Sequence, residues 1–270
     1  MTSPLQITSP KNPRVKTLLE LAGARRAREA SGLFVVEGAR EIDRALRSHF
    51  ALKELYVCPE ALSPAAALLV AAAATHSEVE RIDVTRVVYS KIAVREGVDG
   101  LVAVFYQKPH ELAGLRLPAT PLIVAVQGVE KPGNLGALLR SADGAGVDAV
   151  VVLDRALDLY NPHVIRASLG TVFSVPVATA TSADFRALCR ERGIRTYAAA
   201  LAPEAMVCFA ADFRGPVALV LGEEAHGLSA DWLTAADATV MIPMRGLADS
   251  LNVSTAGAVL MYEAVRQRLA

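Results

Sequence analysis

The sequence predicts an α/β fold with a largely parallel sheet, arranged as two domains or as one large domain. Apolar strand-like runs alternate with helical patterns along almost all of the 270 residues, the order that βαβ units produce. A stretch with several prolines, from 107 to 121, interrupts this alternation. Beyond it, polar loops follow the ends of several apolar runs, the place where open α/β sheets bind ligands.

The composition limits the classes of protein that need to be considered. A content of 53% apolar and 21% charged residues is typical of a soluble globular protein rather than of a disordered one. The 28 basic residues equal the 28 acidic residues, so the overall charge favours no particular partner and counts mildly against nucleic acid. Three widely spaced cysteines outside any CxxC, without a signal peptide, indicate a reducing cytoplasm. No cluster has metal-ligand spacing and no apolar tract could span a bilayer, so we expect neither a metal nor a membrane partner.

The first half of the chain begins with a helix and continues with alternating strands and helices. The opening helix covers 15–30, with an apolar stripe on one face and basic residues on the other. The predicted strands cover 33–36, 52–58, 79–84 and 101–106. The other predicted helices cover 39–47, 65–74 and 85–93. With the boundary placed in the interrupted stretch, this half is predicted to form a domain of residues 1–107.

The second half, residues 119–270, repeats the alternation and forms the second predicted domain. Its predicted strands cover 122–126, 149–153, 174–177, 195–199, 217–221 and 239–242. Its predicted helices cover 135–145, 161–170, 182–192, 229–235 and 253–269.

The first polar loop follows the strand at 122–126 and leads into a helix. Gly133, Asn134 and Gly136 stand where that helix begins, so backbone N–H groups and the positive end of the helix dipole face outward there. Asn134 could also serve simply as the cap of the helix. Arg140 interrupts an apolar helix one turn later, and a buried arginine requires a partner or an anionic ligand.

Two more polar loops follow later strands of the same predicted sheet. After 217–221, Gly222 would let a ligand approach the backbone, and Glu223 or Glu224 could orient a basic group or a ribose hydroxyl. Ser229 is predicted to cap the next helix. After 239–242, the loop 243–252 is dense in hydrogen-bonding groups, and Ser250 or Asn252 could cap the final helix. Each loop alone is compatible with an ordinary surface turn. Together they would meet at one edge of the sheet.

These three loops resemble the three motifs of one known family. PGNLGALLRSADGAG at 132–146, LVLGEEAHGLS at 219–229 and IPMRGLADSLNVSTAG at 242–257 look like those of the SpoU (TrmH) family. Members of that family are RNA 2′-O-ribose methyltransferases that use S-adenosylmethionine. The segment 159–170 resembles the family's intervening segment, and ITSPKNPRVKTLLEL with FVVEGAREIDRAL is similar to its small RNA-binding domain. The resemblance covers nearly the whole chain.

The resemblance implies a fold, a cofactor site and a set of functional residues. The second domain would form a trefoil knot that involves 222–227 and 242–253. The residues expected to contact S-adenosylmethionine are Ala200, Gly222, Ile242 and Leu251. The positions that match the family's functional residues are Asn134, Arg140, Glu223, Ser250 and Asn252. Because a guanidinium does not lose its proton in proteins, Arg140 is expected to bind phosphate or stabilise the developing alkoxide, with Glu223 orienting it. The general base stays open.

The resemblance also implies partners. The basic residues expected to contact RNA phosphates are Lys11, Arg14, Arg25, Arg26 and Arg28, although charge alone favours an ordinary solvated helix face. Ribosomal RNA is favoured over transfer RNA by the separate first domain. A homodimer through the second domain is expected, with the small residues 256–258 allowing close helix packing. The alternatives are a catalytically inactive RNA-binding or ribosome-associated protein of the same fold, and a tRNA-directed enzyme. A nicotinamide-dependent oxidoreductase is disfavoured because no GxGxxG is present.

Overall fold

The chain divides into two compact units that differ in one respect from the predicted domains. The computed structural model describes residues 4–73, 79–93, 99–154, 157–223 and 226–269. The first unit comprises Met1–Lys108 together with Tyr160–Phe173, and the second comprises Pro109–Leu159 together with Ser174–Ala270. The continuous second domain of the sequence analysis, 119–270, therefore contains a segment that packs in the first unit. Among the described helices, none is long and apolar enough to cross a membrane.

The first unit is built on a five-stranded mixed sheet with the order β1-β4-β3-β5-β2. Its strands are β1 (Leu5–Ile7), β2 (Leu33–Glu37), β3 (Leu52–Val57), β4 (Glu80–Val84) and β5 (Leu101–Tyr106). Strand β4 runs parallel to β1 and β3, whereas β5 runs antiparallel to both β3 and β2. A largely parallel sheet was predicted, and in this unit that prediction is wrong. Alternation of strands and helices does not determine strand direction. The direction depends on whether the connection before each strand returns the chain to the end of the sheet where the previous strand began.

Six α-helices accompany this sheet in the described residues, and the first two replace one predicted helix. They are α1 (Pro13–Gly23), α2 (Arg25–Ser31), α3 (Ala39–Arg47), α4 (Pro64–Ala73), α5 (Arg86–Ile92) and α7 (Pro162–Ala167). The predicted helix at 15–30 is broken at Ala24, whose backbone is extended at φ −116° and ψ 117°. Asn12 caps α1, because its side chain accepts a hydrogen bond from the Arg14 backbone N–H. The break reorients the basic residues that follow it.

The segment Tyr160–Phe173 belongs to the core of the first unit because its aromatic side chains pack there. The ring of Tyr160 stacks on Phe34 at 4.3 Å between centroids, and the ring of Phe173 lies 5.7 Å from the same ring. The Arg44 guanidinium donates a hydrogen bond of 2.8 Å to the carbonyl oxygen of Leu169. These contacts explain why a segment between two strands of the second unit folds with the first.

The second unit contains a seven-stranded sheet, parallel throughout, with the order β10-β12-β9-β11-β6-β7-β8. Its strands are β6 (Leu122–Gln127), β7 (Ala149–Leu153), β8 (Val177–Ala180), β9 (Arg195–Ala199), β10 (Met206–Val207), β11 (Val217–Leu221) and β12 (Ala238–Met241). The strand predicted at 174–177 instead starts at Val177. Pro176 has no backbone N–H to give to the ladder, so pairing with β7 begins at the next residue.

Four α-helices cover this sheet in the described part of the unit. They are α6 (Pro132–Ala145), α8 (Ser182–Arg192), α9 (Ala230–Ala235) and α10 (Val253–Leu269). Helix α10 packs on α6 at Gly257, where an added Cβ would lie 2.5 Å from Leu138 Cδ1 and 2.9 Å from Leu221 Cδ1. The family resemblance predicts close packing at this glycine between two copies of the chain. The structure shows that it serves packing within the unit.

Candidate active site

The three polar loops meet because the strands before them run in the same direction. Strand β11 lies between β6 and β9, and β12 lies on the other side of β9. Leu221 is in register with Val126 of β6 and with Ala199 of β9, so these strands end at one edge. The chain after each strand therefore starts from the same side of the sheet, as the sequence analysis expected for an open α/β fold.

A cavity of about 360 Å³ lies at this edge and collects the predicted cofactor residues. Its walls include all four of them, namely Ala200, Gly222, Ile242 and Leu251. Two predicted catalytic residues, Glu223 and Ser250, also line it. The remaining walls are largely apolar side chains, among them Leu228, Val240 and Leu260. A volume in this range and a mostly apolar lining are typical of a site for a small organic ligand.

Gly222 forms part of the wall at a point where two stretches of backbone almost touch. A Cβ added there would lie 2.2 Å from the carbonyl carbon of Gly227 and 2.3 Å from the backbone nitrogen of Leu228. No other residue type fits without moving backbone, so this wall of the cavity is main chain rather than side chain. On the neighbouring strand, the Ala200 backbone N–H donates a hydrogen bond of 3.0 Å to Val240. This bond extends the pairing of β9 with β12 up to the wall of the cavity.

Glu223 connects the large cavity with a smaller one of about 120 Å³. The smaller cavity is also lined by Asn134 and Lys131 from the first loop. Glu223 Oε1 lies 2.7 Å from His226 Nδ1, so the histidine is held against the carboxylate at the rim of the large cavity. The sequence analysis did not single out His226, although it stands within the second motif. The alternative residue Glu224 lies outside the described residues.

A pair of asparagines ties the start of α6 to the start of α10. The Asn252 side chain donates a hydrogen bond of 3.2 Å from Nδ2 to Asn134 Oδ1. Asn252 Oδ1 in turn accepts hydrogen bonds from the backbone N–H and the hydroxyl of Ser254, at 3.0 and 2.6 Å. Of the two predicted caps, Asn252 therefore caps α10, whereas Ser250 lines the large cavity. Asn134 is the third residue of α6 and not its cap, which is Lys131.

Arg140 does not lie where the sequence argument placed it. The residue is exposed, whereas Leu135, Leu138, Leu139 and Ala142 of the same helix are buried. Arg140 is also not among the residues that line either cavity at this edge. The expectation of a buried arginine that requires a partner is therefore wrong. A guanidinium exposed on α6 is available to a ligand that comes from solvent.

A polar network at the same edge was missed by the sequence analysis. The Gln127 side chain donates a hydrogen bond of 2.7 Å to Asp154 Oδ2 and accepts one of 3.0 Å from the Ser229 backbone N–H. Burial opposes ionisation of Asp154, but hydrogen bonds from Ser182 and Gln127 outweigh it and lower the pKa of this carboxyl below its ordinary value. Ser229 makes no side-chain cap bond to α9 and instead binds this network. The sequence does contain a signal for this network, because Gln127 ends β6 and Asp154 directly follows β7.

The basic residues at the start of the first unit are not equivalent. Lys11 and Arg26 are exposed. Arg14 makes ion pairs with Glu80 at 2.8 Å and Glu54 at 3.9 Å. Arg25 forms an ion pair of 2.6 Å with a glutamate of its own helix. Exposed ion pairs of this kind are weak, so these guanidinium groups can exchange an acidic partner for another anion.

Arg28 has a structural position. Only 2% of its surface is exposed, and its guanidinium donates hydrogen bonds to the carbonyl oxygens of Leu21 and Ala22. These carbonyls belong to the last turn of α1, where no intrahelical partner exists. The predicted contact of Arg28 with RNA is therefore wrong, since the break at Ala24 turns its side chain inward.

Comparison with known proteins gives consistent results for both units. Residues 121–262 match the SpoU rRNA Methylase family, and residues 12–103 match the MRM3-like substrate binding domain. A Bacillus subtilis protein, 23S rRNA (guanosine(2553)-2′-O)-methyltransferase RlmP, is 29% identical over 95% of this chain and 98% of its own length. A Streptomyces viridochromogenes protein, 23S rRNA (uridine(2479)-2′-O)-methyltransferase, is 33% identical over 98% of this chain and 93% of its own length.

Solved structures agree with these relatives. A crystal structure of an RNA 2′-O ribose methyltransferase aligns with a TM-score of 0.85 at 41% identity, over 98% of this chain and all of its own (100%). An AdoMet-bound rRNA methyltransferase from Sinorhizobium meliloti aligns with a TM-score of 0.88 at 29% identity, over 98% of each chain. Both similarities extend over the two units.

Proposed function

Because this chain belongs to the SpoU rRNA methylase family, we propose that it transfers a methyl group from S-adenosylmethionine to a ribose 2′-hydroxyl of ribosomal RNA. SpoU methyltransferases have a trefoil-knot fold, and the second unit of this chain has it too. This confirms the fold and the family that the three motifs predict. Such threading of the chain is rare among proteins and leaves no trace in hydrophobic periodicity.

One observation carries the proposal most directly. Four residues that were assigned to the cofactor from motif position alone line a single cavity, although they follow three different strands. The cavity fits S-adenosylmethionine: part of its wall is main chain at Gly222 and Gly227, and its apolar walls suit an adenine ring. When bound, the cofactor supplies a methyl group on a positively charged sulfur. We assign Ala200, Gly222, Ile242 and Leu251 to its binding.

The polar residues in and beside the two cavities fit the needs of the acceptor ribose. A 2′-hydroxyl is a weak acid, so the site must hold it in line with the methyl group and favour loss of its proton. Asn134 and Asn252 are bonded to each other, which fixes the start of α6 against the start of α10 beside the site. Glu223 and Ser250 border the cavity in which the methyl group would be delivered. Arg140, exposed and permanently charged, is assigned to the neighbouring phosphate.

The RNA partner is assigned from both units. The named relatives act on 23S rRNA, and the first unit matches a substrate-binding domain. Lys11, Arg14, Arg25 and Arg26 are exposed or only weakly paired, so we assign them to RNA phosphates. A homodimer formed through the second unit and a location in the cytoplasm are further parts of this proposal. Sedimentation of the purified protein at several concentrations tests the dimer.

Calorimetry tests the proposal at the cofactor step. Binding of S-adenosylmethionine should saturate, and NAD should not bind. Replacing Leu251 with Glu places a charge against the cavity and should weaken binding of the cofactor by at least about tenfold, since a buried unpaired charge is costly. Leu247→Glu is the matched control, because Leu247 lies in the same loop and is fully exposed (104%). Saturable NAD binding without cofactor binding would contradict the proposal.

Mapping of 2′-O-methylated nucleotides tests the substrate. Ribosomal RNA from cells without this gene should lack one methyl group that purified protein and S-adenosylmethionine restore. Restoration only on transfer RNA would favour the tRNA-directed alternative. Normal cofactor binding with no methylation of any RNA would favour the catalytically inactive alternative.

A further inference from the structure

A second large cavity lies at the opposite edge of the seven-stranded sheet. It has a volume of about 390 Å³ and is lined by residues of α8, the start of β9 and the end of α9. Arg195 is the first residue of β9, whereas Ala199, the last, borders the cofactor cavity. At about 3.3 Å per residue, the two cavities are separated by on the order of 15 Å. The methyl-transfer site therefore does not include this second cavity.

Three arginines give this cavity its character, and we call it the basic cavity. They are Arg186, Arg190 and Arg195. One carboxylate, Asp237, also lines it, so the lining itself carries two more positive than negative charges. Asp154 and Asp212 lie outside the lining but interact electrostatically with Arg186 and Arg195. That carboxylate already accepts hydrogen bonds from the backbone N–H and the hydroxyl of Thr196, at 2.8 and 2.7 Å. Within the described parts of the chain, no ion pair involves any of the three arginines.

The Arg186 side chain packs against Trp232 and has one nitrogen without a hydrogen-bond partner among the described residues. Its guanidinium lies over the ring of Trp232 at 5.2 Å from the centroid. Its Nη1 is buried and has no hydrogen-bond partner among the described residues. A buried N–H group left without a partner costs about 1–3 kcal/mol, so a structure tends to provide one. Arg190 lies one helical turn away on α8 and Arg195 stacks over Tyr197 at 5.1 Å.

We propose that the basic cavity binds a backbone phosphate of the RNA substrate, as a contact separate from the methyl-transfer site. Planar guanidinium groups match phosphate oxygens in pairs, and the exposed guanidinium groups of Arg190 and Arg195 can contact a phosphate in this way. The chain has no net charge, so the excess of positive charge is local to this surface. A folded RNA is large enough to reach both edges of the sheet. This inference rests on the proposed function for the identity of its ligand.

The test compares one double variant with one single variant, all at exposed arginines. Arg190→Ala combined with Arg195→Ala removes two groups of the basic cavity, and both residues are exposed, so folding should be retained. Arg192→Ala is the matched control, since Arg192 is exposed on the same helix and does not line the cavity. Binding to a transcript of the cognate 23S rRNA is measured over a range of salt concentrations. The slope of log affinity against log salt should fall by roughly 0.7–0.9 in the double variant, for the one lost phosphate contact.

Arg186 needs a milder change because its side chain packs on Trp232. Arg186→Lys keeps the charge and loses the planar fork, so affinity for the transcript should fall while the salt slope stays near that of the parent protein. An unchanged slope in the double variant, or a fall of the same size in Arg192→Ala, would overturn the proposal.

Two further measurements separate the possible sources of phosphate. Inorganic phosphate is titrated into the parent protein and the double variant without RNA. Binding that the double variant loses, with no effect of either variant on the RNA slope, would indicate a site for a free anion and would also overturn the proposal. Binding of S-adenosylmethionine is measured in parallel. If the cofactor fails to bind the parent protein, the proposed function fails; if it binds and the slope does not change, only the present inference fails.

Discussion

Helices α6 and α2 each carry an arginine that the sequence marks as important, and the structure reverses the expected position of both. Arg140 of α6 was expected to be buried and is exposed. Arg28 of α2 was expected to contact RNA and is 2% exposed. The first is free to serve a ligand, and the second completes the end of another helix. The same residue type in a similar amphipathic pattern thus lies on the surface of one helix and in the interior beside the other.

The two errors have different origins. On a helix with about 100° per residue, Arg140 lies roughly 140° around the axis from Leu135, away from the apolar stripe. Careful use of periodicity would have predicted its exposure. The position of Arg28 depends instead on the extended backbone of Ala24, a residue with high helical propensity. No local pattern predicts a break there. The arginine turns inward because its guanidinium donates hydrogen bonds to carbonyl oxygens at the end of α1, several residues earlier in the chain.

The largest expected effect concerns Arg140. Replacing it with Lys keeps the charge and removes the planar pair of donors, so the rate of methylation should fall about 10²-fold. The thermal midpoint and the affinity for S-adenosylmethionine should stay near those of the parent protein, because the side chain is exposed and lines neither cavity. Single-turnover methylation of the transcript measures the rate. A fully active Lys variant would contradict the assignment of Arg140 to a phosphate of the substrate.

The second effect concerns Arg28. Replacing it with Ala removes its hydrogen bonds to two carbonyls of α1, one buried and one partly buried, and should lower the free energy of unfolding by about 2–4 kcal/mol. Urea denaturation followed by circular dichroism measures this loss. Arg26→Ala, two positions earlier and exposed, is the matched control and should change stability by less than about 0.5 kcal/mol. Equal losses in the two variants would mean that the carbonyl contacts of Arg28 stabilise little.

The third effect concerns the face of α6 that packs on α10 at Gly257. Gly257→Ala places a methyl group 2.5 Å from Leu138 and should destabilise the second unit by about 1–3 kcal/mol, since side chains there must move. Gly133→Ala in α6 has nothing within 4 Å of the added carbon and should stabilise the helix by up to about 1 kcal/mol. Opposite signs in urea denaturation would sharpen the division of α6 into a packed face and an exposed one.

The smallest effect concerns Arg26. Its replacement by Ala should reduce the salt slope of RNA binding by roughly 0.7–0.9, the value for one phosphate contact. Arg28→Ala, measured below its unfolding temperature, should leave the slope unchanged because its guanidinium is inside the unit. If the slope falls for Arg28 and not for Arg26, the assignment of surface and interior in α2 is wrong.

The sequence predicts most elements and brings the right loops together, for a physical reason. Parallel strands place their carboxyl ends at one edge, so Gly222, Ile242 and Leu251 had to converge once their strands were recognised. Other features depend on long-range contacts that no local pattern contains. These are the reversed direction of β5, the break at Ala24 and the membership of 160–173 in the first unit. Pro176 is the exception, since its missing N–H could have shifted the predicted strand.

The segment Tyr160–Phe173 has a consequence for attempts to cut this protein into parts. The chain passes between the two units at three places, after Lys108, after Leu159 and after Phe173. A protease that cleaves once near 115 therefore produces two fragments that both contribute to the same aromatic core, through Phe34 on one and Tyr160 on the other. The fragments should stay together until they are denatured. A gene truncated after Lys108 would likewise encode a domain that lacks part of its own interior.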